Sequence, residues 1–311
     1  MSSLIEKAAQ RLEQLKRAGA EVPAASPAAV AAAVAAGAVP PPVATTQPAA
    51  EAATAPVSYS RSVEIDLDTL AAAGIVSPHA PRSLIADQFR VIKRPLLANA
   101  VGKGATPIAN GNLIMVTSAL PGEGKSFTAI NLAMSIATEL DYTVMLVDAD
   151  VARPSVLNRL GLEPSPGLLD LVVNGSFDLS SVLLKTNIEK LTLLPSGTPH
   201  PRATELLASD SMTRLLEDIG SRYSDRIIIF DSPPLLLTTE SRVLATHMGQ
   251  IVMVVKADST LRSDVRSALS TIEDCPVKFV LLNQATTPFK DGYGYGYGYG
   301  YGYGYGQQTG T

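Results

Sequence analysis

The stretch "NLIMVTSALPGEGKSFTAINLAMSIATEL", residues 112–140, decides the fold. It opens with an apolar run lacking the polar alternation of a half-wet strand, so it reads as a strand buried on both faces. A short loop with Pro121, Gly122 and Gly124 follows, and the Ala-, Leu- and Ile-rich segment from Lys125 reads as an amphipathic helix. Four further apolar runs have the same character: "YTVMLVDAD" (142–150), "DRIIIFDSPP" (225–234), "QIVMVVKAD" (250–258) and "VKFVLLNQ" (277–284). Helical patterns stand among them or ahead of them, in "LIADQFRVIKRPLLAN" (84–99), "TRLLEDIGSRY" (213–223), "ESRVLATHM" (240–248) and "LRSDVRSALSTIE" (261–273). Buried strands alternating with helices predict an α/β fold, a mostly parallel sheet with helices on both faces. Right-handed crossovers then bring the strand C-termini to one edge, where ligands bind.

Bulk properties narrow the rest. A chain of 311 residues with 46% hydrophobic residues can build a full core. Its net charge of −4 and the lack of a Lys/Arg block argue against a nucleic-acid surface. One cysteine, Cys275, and three histidines exclude a disulfide framework and make a structural zinc site improbable. The start, "MSSLIEKAAQRLEQLKRAG", is too charged for a signal peptide; Leu4, Ile5, Ala8, Leu12 and Leu15 form one stripe of a short helix over residues 1–19 that docks on a partner, docks on the main domain, or frays. Residues 20–59 are Ala/Pro-rich and read as a linker. No run approaches the ~20 apolar residues of a spanning helix. The folded domain is expected over 60–287, and residues 288–311 form a Gly/Tyr tail.

The loop at the end of the first strand resembles a Walker A motif, G-x-x-x-x-G-K-[ST], with Gly124, Lys125 and Ser126 in place and Ala119 where the first glycine stands. Pro121, Gly122, Glu123, Gly124 and Phe127 are candidates to bind the nucleotide, because backbone N–H groups at the positive end of a helix suit a phosphate chain. Lys125 reaches the β/γ-phosphates and the Ser126 hydroxyl sits on Mg²⁺. The second strand ends in Asp148 and Asp150, two apart and so on one side of an extended end. Either acid alone also reads as a cap for the next helix; two beside a phosphate loop read as a metal-and-base pair. Asp231 closes the third strand after four apolar residues, as a Walker B carboxylate does.

Together these motifs resemble the bacterial tyrosine autokinases (BY-kinases), which carry Walker A, an acidic A′ motif and Walker B and end in a tyrosine cluster. The N-terminal helix and Ala/Pro linker are similar to the exopolysaccharide-locus, XrtA-associated branch. The resemblance implies ATP and Mg²⁺ as cofactors, Lys125 as phosphate clamp, Asp148 as base for a tyrosine hydroxyl, and Ser126, Asp150 and Asp231 on the metal side. Arg153 would steady phosphate charge and Asn283 would approach the adenine. The family's E-x-x-R-x-x-R ring-forming helix corresponds to Asp87, Arg90 and Lys93, with both ends altered and Arg94 adjacent. The resemblance further implies other subunits of the same chain, a membrane-embedded polysaccharide co-polymerase that activates through its cytosolic tail, a cognate tyrosine phosphatase, and a cytoplasmic location at the inner membrane through that partner.

The tail "KDGYGYGYGYGYGYGYGQQTGT" holds seven of the ten tyrosines: Tyr293, Tyr295, Tyr297, Tyr299, Tyr301, Tyr303 and Tyr305. Read alone it is a sticky low-complexity segment; beside a phosphoryl-transfer site its hydroxyls become interchangeable acceptors. Two competing readings remain. A partitioning or positioning ATPase would carry a lysine early in the loop, where this chain has Leu120. A non-catalytic Tyr-rich scaffold would have no need of three intact acids. Full phosphorylation of the tail adds roughly −10 to −14 charges, so the unmodified protein is expected to self-associate and the phosphorylated one to separate; equal sedimentation of the two forms would contradict this.

Overall fold

The computed structural model describes residues 60–285 except 80, 81, 105, 175–177, 223 and 224. The chain divides into two units, Met1–Pro56 and Val57–Thr311, and every described residue belongs to the second. The expected N-terminal helix, the linker and the tyrosine tail lie outside the described residues.

In chain order the elements are β1 (Arg61–Val63), α1 (Leu67–Ala72), α2 (Leu84–Ala100), β2 (Leu113–Ser118), α3 (Lys125–Ala137), β3 (Thr143–Asp148), α4 (Val156–Arg159), α5 (Leu168–Val173), α6 (Leu179–Val182), β4 (Leu184–Thr186), β5 (Leu191–Leu194), α7 (Ala203–Leu207), α8 (Asp210–Arg222), β6 (Arg226–Asp231), α9 (Glu240–Ala245), β7 (Gln250–Lys256), α10 (Arg262–Ser270) and β8 (Val277–Asn283). The strands form one sheet in the order β1-β4-β5-β3-β6-β2-β7-β8. Among the described residues only β4 and β5 pair antiparallel. The five expected strands are all present. β1, β4 and β5 were not anticipated, because three or four residues are too few for a periodicity to register.

Both faces of the sheet are covered, as continuous apolar strands require. Successive side chains alternate between two cores. Met115, Met145, Val147, Ile228 and Phe230 belong to one; Ile114, Val116, Val144, Leu146 and Ile229 belong to the other. The order β3-β6-β2 sets the C-termini of three strands side by side. Asp148 and Asp231 are direct partners in the register of β3 and β6, and Val116 of β2 pairs with Asp231. That adjacency places two strand-end acids next to the loop leaving β2.

The helix α3 departs from the amphipathic expectation. From Thr128 to Ala137 every residue is buried, and the Asn131 amide oxygen accepts from the Val76 N–H at 2.7 Å. A helix apolar on all sides must be covered on all sides, and α2 supplies the outer cover. Lys93 of α2, expected at a subunit interface, is instead 1% exposed. Its ammonium donates to the Ser135 carbonyl and pairs with Glu139 at 2.7 Å. Burial pulls Lys93 below the ordinary lysine value, with Glu139 opposing. Arg94 reaches the same carboxylate at 3.8 Å. Asp87 and Arg90 pair with each other on the exposed side of α2.

Removing one member of a buried pair costs more than replacing it with an apolar side chain of similar length. Lys93→Ala is therefore expected to destabilise by about 2–4 kcal/mol and Lys93→Met by less than about 1.5 kcal/mol. Denaturant unfolding checks both; equal losses would contradict the packing role of the lysine stem.

Candidate active site

The loop between β2 and α3 is shaped by two glycines. Gly122 and Gly124 have φ of 81° and 100°, a left-handed conformation that side chains resist. Gly124 is also constrained by space: a Cβ there would meet the Asn283 amide nitrogen at 2.0 Å. Asn283, at the end of β8, donates to the Glu123 carbonyl at 2.9 Å, so the last strand is tied to the loop. The Glu123 side chain turns inward and is 3% exposed. It accepts from the Leu120 N–H at 2.8 Å and from the Thr260 hydroxyl. Glu123 thus contributes its backbone to the loop while its carboxylate braces the curve. No spacing in the sequence marked Thr260, which lies 137 residues away.

Lys125 begins α3, where its ammonium stands between two acids. Nζ lies 2.6 Å from Asp150 Oδ2 and 3.8 Å from Asp231 Oδ1. Asp150 Oδ1 also accepts from the Arg153 N–H at 3.1 Å, which fixes the turn after β3. Asp148 fulfils the capping alternative with one oxygen: Oδ2 accepts from the N–H groups of Ser155 and Val156 at 3.0 and 2.9 Å, at the start of α4. Its other oxygen, Oδ1, is buried with no partner. Asp231 is more exposed to electrostatic cost, because both of its oxygens are buried without a hydrogen bond. The Ser126 hydroxyl accepts from Ser155 Oγ at 3.0 Å.

A cleft of about 490 Å³ opens over this floor, lined by Gly122, Lys125, Ser126, Arg153, Arg159 and Leu237 among others. Pro121 and Gly124 also face it. Arg159 and the Pro233–Pro234–Leu237 lip were not singled out from the sequence; the double proline after a strand-end acid was the available signal. Phe127 and Asn283 do not line this cleft; they line a separate groove of about 780 Å³.

The donor set fits a magnesium ion. Three buried carboxylate oxygens without hydrogen bonds, of which Asp231 Oδ1 alone is near a positive charge, at 3.8 Å from Lys125 Nζ, are costly unless a cation compensates them. Among the described residues no three His, Cys, Asp or Glu side chains form a metal cage. Mg²⁺ binds through one or two protein groups and completes its shell with water and phosphate oxygens. Ser126, Asp150 and Asp231 are the groups able to hold it.

The electrostatics agree. Burial, reinforced by the negative charge of Asp231, pushes the Asp148 carboxyl up to about 7. Burial also pushes Asp231 up to about 6 despite the attraction of Lys125. Carboxyls raised in the folded state favour folding most at low pH, and that contribution is lost as pH rises through about 6 to 7. Thermal stabilisation by Mg²⁺ is therefore expected to grow from about pH 5 to about pH 8, and Asp231→Asn should reduce the growth while stabilising the metal-free protein at about pH 8. Calorimetric melting with and without Mg²⁺ measures this. A pH-independent Mg²⁺ effect, or a destabilised Asp231→Asn protein, would contradict it.

Comparison with known proteins converges on one family. Residues 111–276 match the AAA domain family. The chain is 30% identical over 206 residues to the tyrosine-protein kinase YwqD of Bacillus subtilis, covering 66% of this chain and 83% of that protein. It is 31% identical over 190 residues to the putative tyrosine-protein kinase EpsB of Ralstonia nicotianae, covering 60% of this chain but only 25% of that longer protein. The crystal structure of the chimerical protein CapA2B2 superposes with a TM-score of 0.58 at 27% identity, over 73% of this chain and 94% of the other. The glycine loop, Lys125 and the acids Asp148, Asp150 and Asp231 all sit within the matched residues 111–276, and the chain belongs to the bacterial tyrosine-protein kinase family.

Proposed function

We propose that the protein is an ATP-dependent tyrosine autokinase that phosphorylates its own C-terminal tyrosines, between subunits, and thereby regulates exopolysaccharide synthesis or export. The observation that carries this reading is Lys125 held between Asp150 and Asp231, with a partner-free oxygen of Asp148 beside them. Lys125 and the loop N–H groups hold the triphosphate, and Arg153 and Arg159 add positive charge at the cleft wall. Bound Mg²⁺ supplies charge neutralisation of the phosphate oxygens as the bond to the leaving diphosphate breaks. A tyrosine oxygen attacks the terminal phosphorus, ADP departs, and the phenolic proton passes to Asp148. A phenol with a reference pKa of ~10 gives up its proton late, as its oxygen bonds to phosphorus. Asn283, which donates to the Glu123 carbonyl, is the proposed contact to the base of the nucleotide.

Tyr293 to Tyr305 are the proposed acceptors. The proposed partners are further copies of the chain, a membrane-embedded co-polymerase whose cytosolic tail activates the kinase, and a tyrosine phosphatase. Cytoplasmic residence at the inner membrane would follow from the co-polymerase; among the described residues no helix is long and apolar enough to cross a membrane. Lys93 is held inside its own fold, so contact between subunits through α2 would rest on Asp87, Arg90 and Arg94.

Intact mass after incubation with Mg·ATP and the membrane partner is expected to show phosphates on residues 293–305. Lys125→Met and Asp148→Asn should each lower the incorporation rate by about 10²–10⁴-fold. The wild-type rate should rise with pH through about 7 as Asp148 ionises. Undiminished phosphotyrosine in both variants would defeat the assignment.

A further inference from the structure

The last strand leaves the sheet unfinished. β8 is at the edge of the sheet order, and its residues alternate between half-buried and exposed along the whole strand. Val280 and Leu282 are 56% and 63% exposed on one face. Phe279 and Leu281, on the other, only partly join the core beneath α2. Between α2 and β8 runs the groove of about 780 Å³, walled by Ile85, Val91, Ile92 and Pro95 on the helix side. An edge strand beside an apolar groove is a template for one more strand.

The chain itself arrives at this groove. Asn283, Gln284 and Ala285 form its lip, and Gln284 has a φ of 56°, which bends the backbone away from the strand direction. After Ala285 come "TTPFKDG" and the Gly–Tyr repeat. Pro288 lacks an N–H and belongs in a connection, not in a ladder. A five-residue connection through Pro288 would set Phe289–Tyr295 antiparallel to the seven residues of β8. With side chains alternating every second residue, Phe289, Asp291, Tyr293 and Tyr295 fall on one face of this segment and Lys290, Gly292 and Gly294 on the other. In this register Tyr293 and Tyr295 share the face of Phe279, toward α2. Tyrosine suits such a site, with an apolar ring and a hydroxyl that stays wet.

We propose that, before modification, the segment Phe289–Tyr295 docks in cis as an added strand on β8, with its tyrosines in the groove under α2. The groove is a resting site for the first acceptors, distinct from the phosphate cleft. Its occupant is the chain's own tail because the tail leaves from the groove's lip, which makes its local concentration higher than that of any separate molecule. Docking also bears on the nucleotide site, since β8 is tied to the loop through Asn283 and Glu123. The release step rests on the proposed kinase activity: a phosphate brings about −1.5 to −2 charges into an apolar groove and expels the segment.

The test is intrachain crosslinking in the full chain carrying Lys125→Met, which makes docking independent of transfer. Val91→Cys in the groove wall is paired with Tyr293→Cys in the tail, and a short bis-maleimide joins them. Val173→Cys with Tyr293→Cys serves as reference, because Val173 is a 45%-exposed residue on α5 that does not line the groove. The Val91 pair is expected to link within one chain at least about tenfold faster than the Val173 pair. Equal rates, or products joining two chains, overturn the proposal. With Lys125 restored, prior phosphorylation should bring the Val91 rate down to the reference; a preference that survives phosphorylation overturns the release step. Failure to incorporate phosphate at all would count against the kinase reading and leave the docking result standing.

Discussion

One ammonium group organises the catalytic edge. Lys125 Nζ lies 2.6 Å from one carboxylate and 3.8 Å from another, and both acids are almost wholly buried. Without that positive charge the sheet would end in Asp148, Asp150 and Asp231 with little to compensate them. Even with it, burial holds Asp148 near 7 and Asp231 near 6. The site therefore carries an electrostatic deficit in its folded form, which a magnesium-bound triphosphate is suited to fill. Strain of this kind is characteristic of functional sites, where groups are placed for a partner and not for stability.

The fold delivers that arrangement through register. Asp148 and Asp231 close neighbouring strands at the same level, and β2 enters the glycine loop beside them. The loop is then fixed from behind by Glu123, which joins Leu120 and Thr260, and from the side by Asn283. Three strands thus converge on one turn of backbone, and the helix they feed is buried from Thr128 to Ala137. Covering that helix employs α2, whose Lys93 is used inside the chain.

Much of this was legible in the sequence, for identifiable reasons. Long apolar strands announce themselves, so β2, β3, β6, β7 and β8 were all expected, and the acids at their ends followed from motif spacing. β1, β4 and β5 escaped because a strand of three or four residues has no periodicity to read, and nothing local reveals that β4 and β5 run antiparallel. Asp148 illustrates a subtler gap: capping and catalysis were weighed as alternatives, and the structure gives the two oxygens separate circumstances, one bonded to the start of α4 and one without a partner. Lys93 was expected in the ring-forming motif of α2, and only the burial and the contact with Glu139 show that it is used inside the chain. Thr260 is invisible to any reading along the chain, since its role exists only in three dimensions.

The central claim, that buried carboxyls await a cation, is tested most directly by counting protons. Titration calorimetry of Mg²⁺ with a non-hydrolysable ATP analogue, repeated in buffers of different ionisation enthalpy at about pH 6.5, gives the number released from protein groups. Wild-type protein is predicted to release on the order of one proton beyond that of the nucleotide itself, and Asp231→Asn clearly less. Binding with no proton release, or with the same release in wild type and Asp231→Asn, would contradict the account.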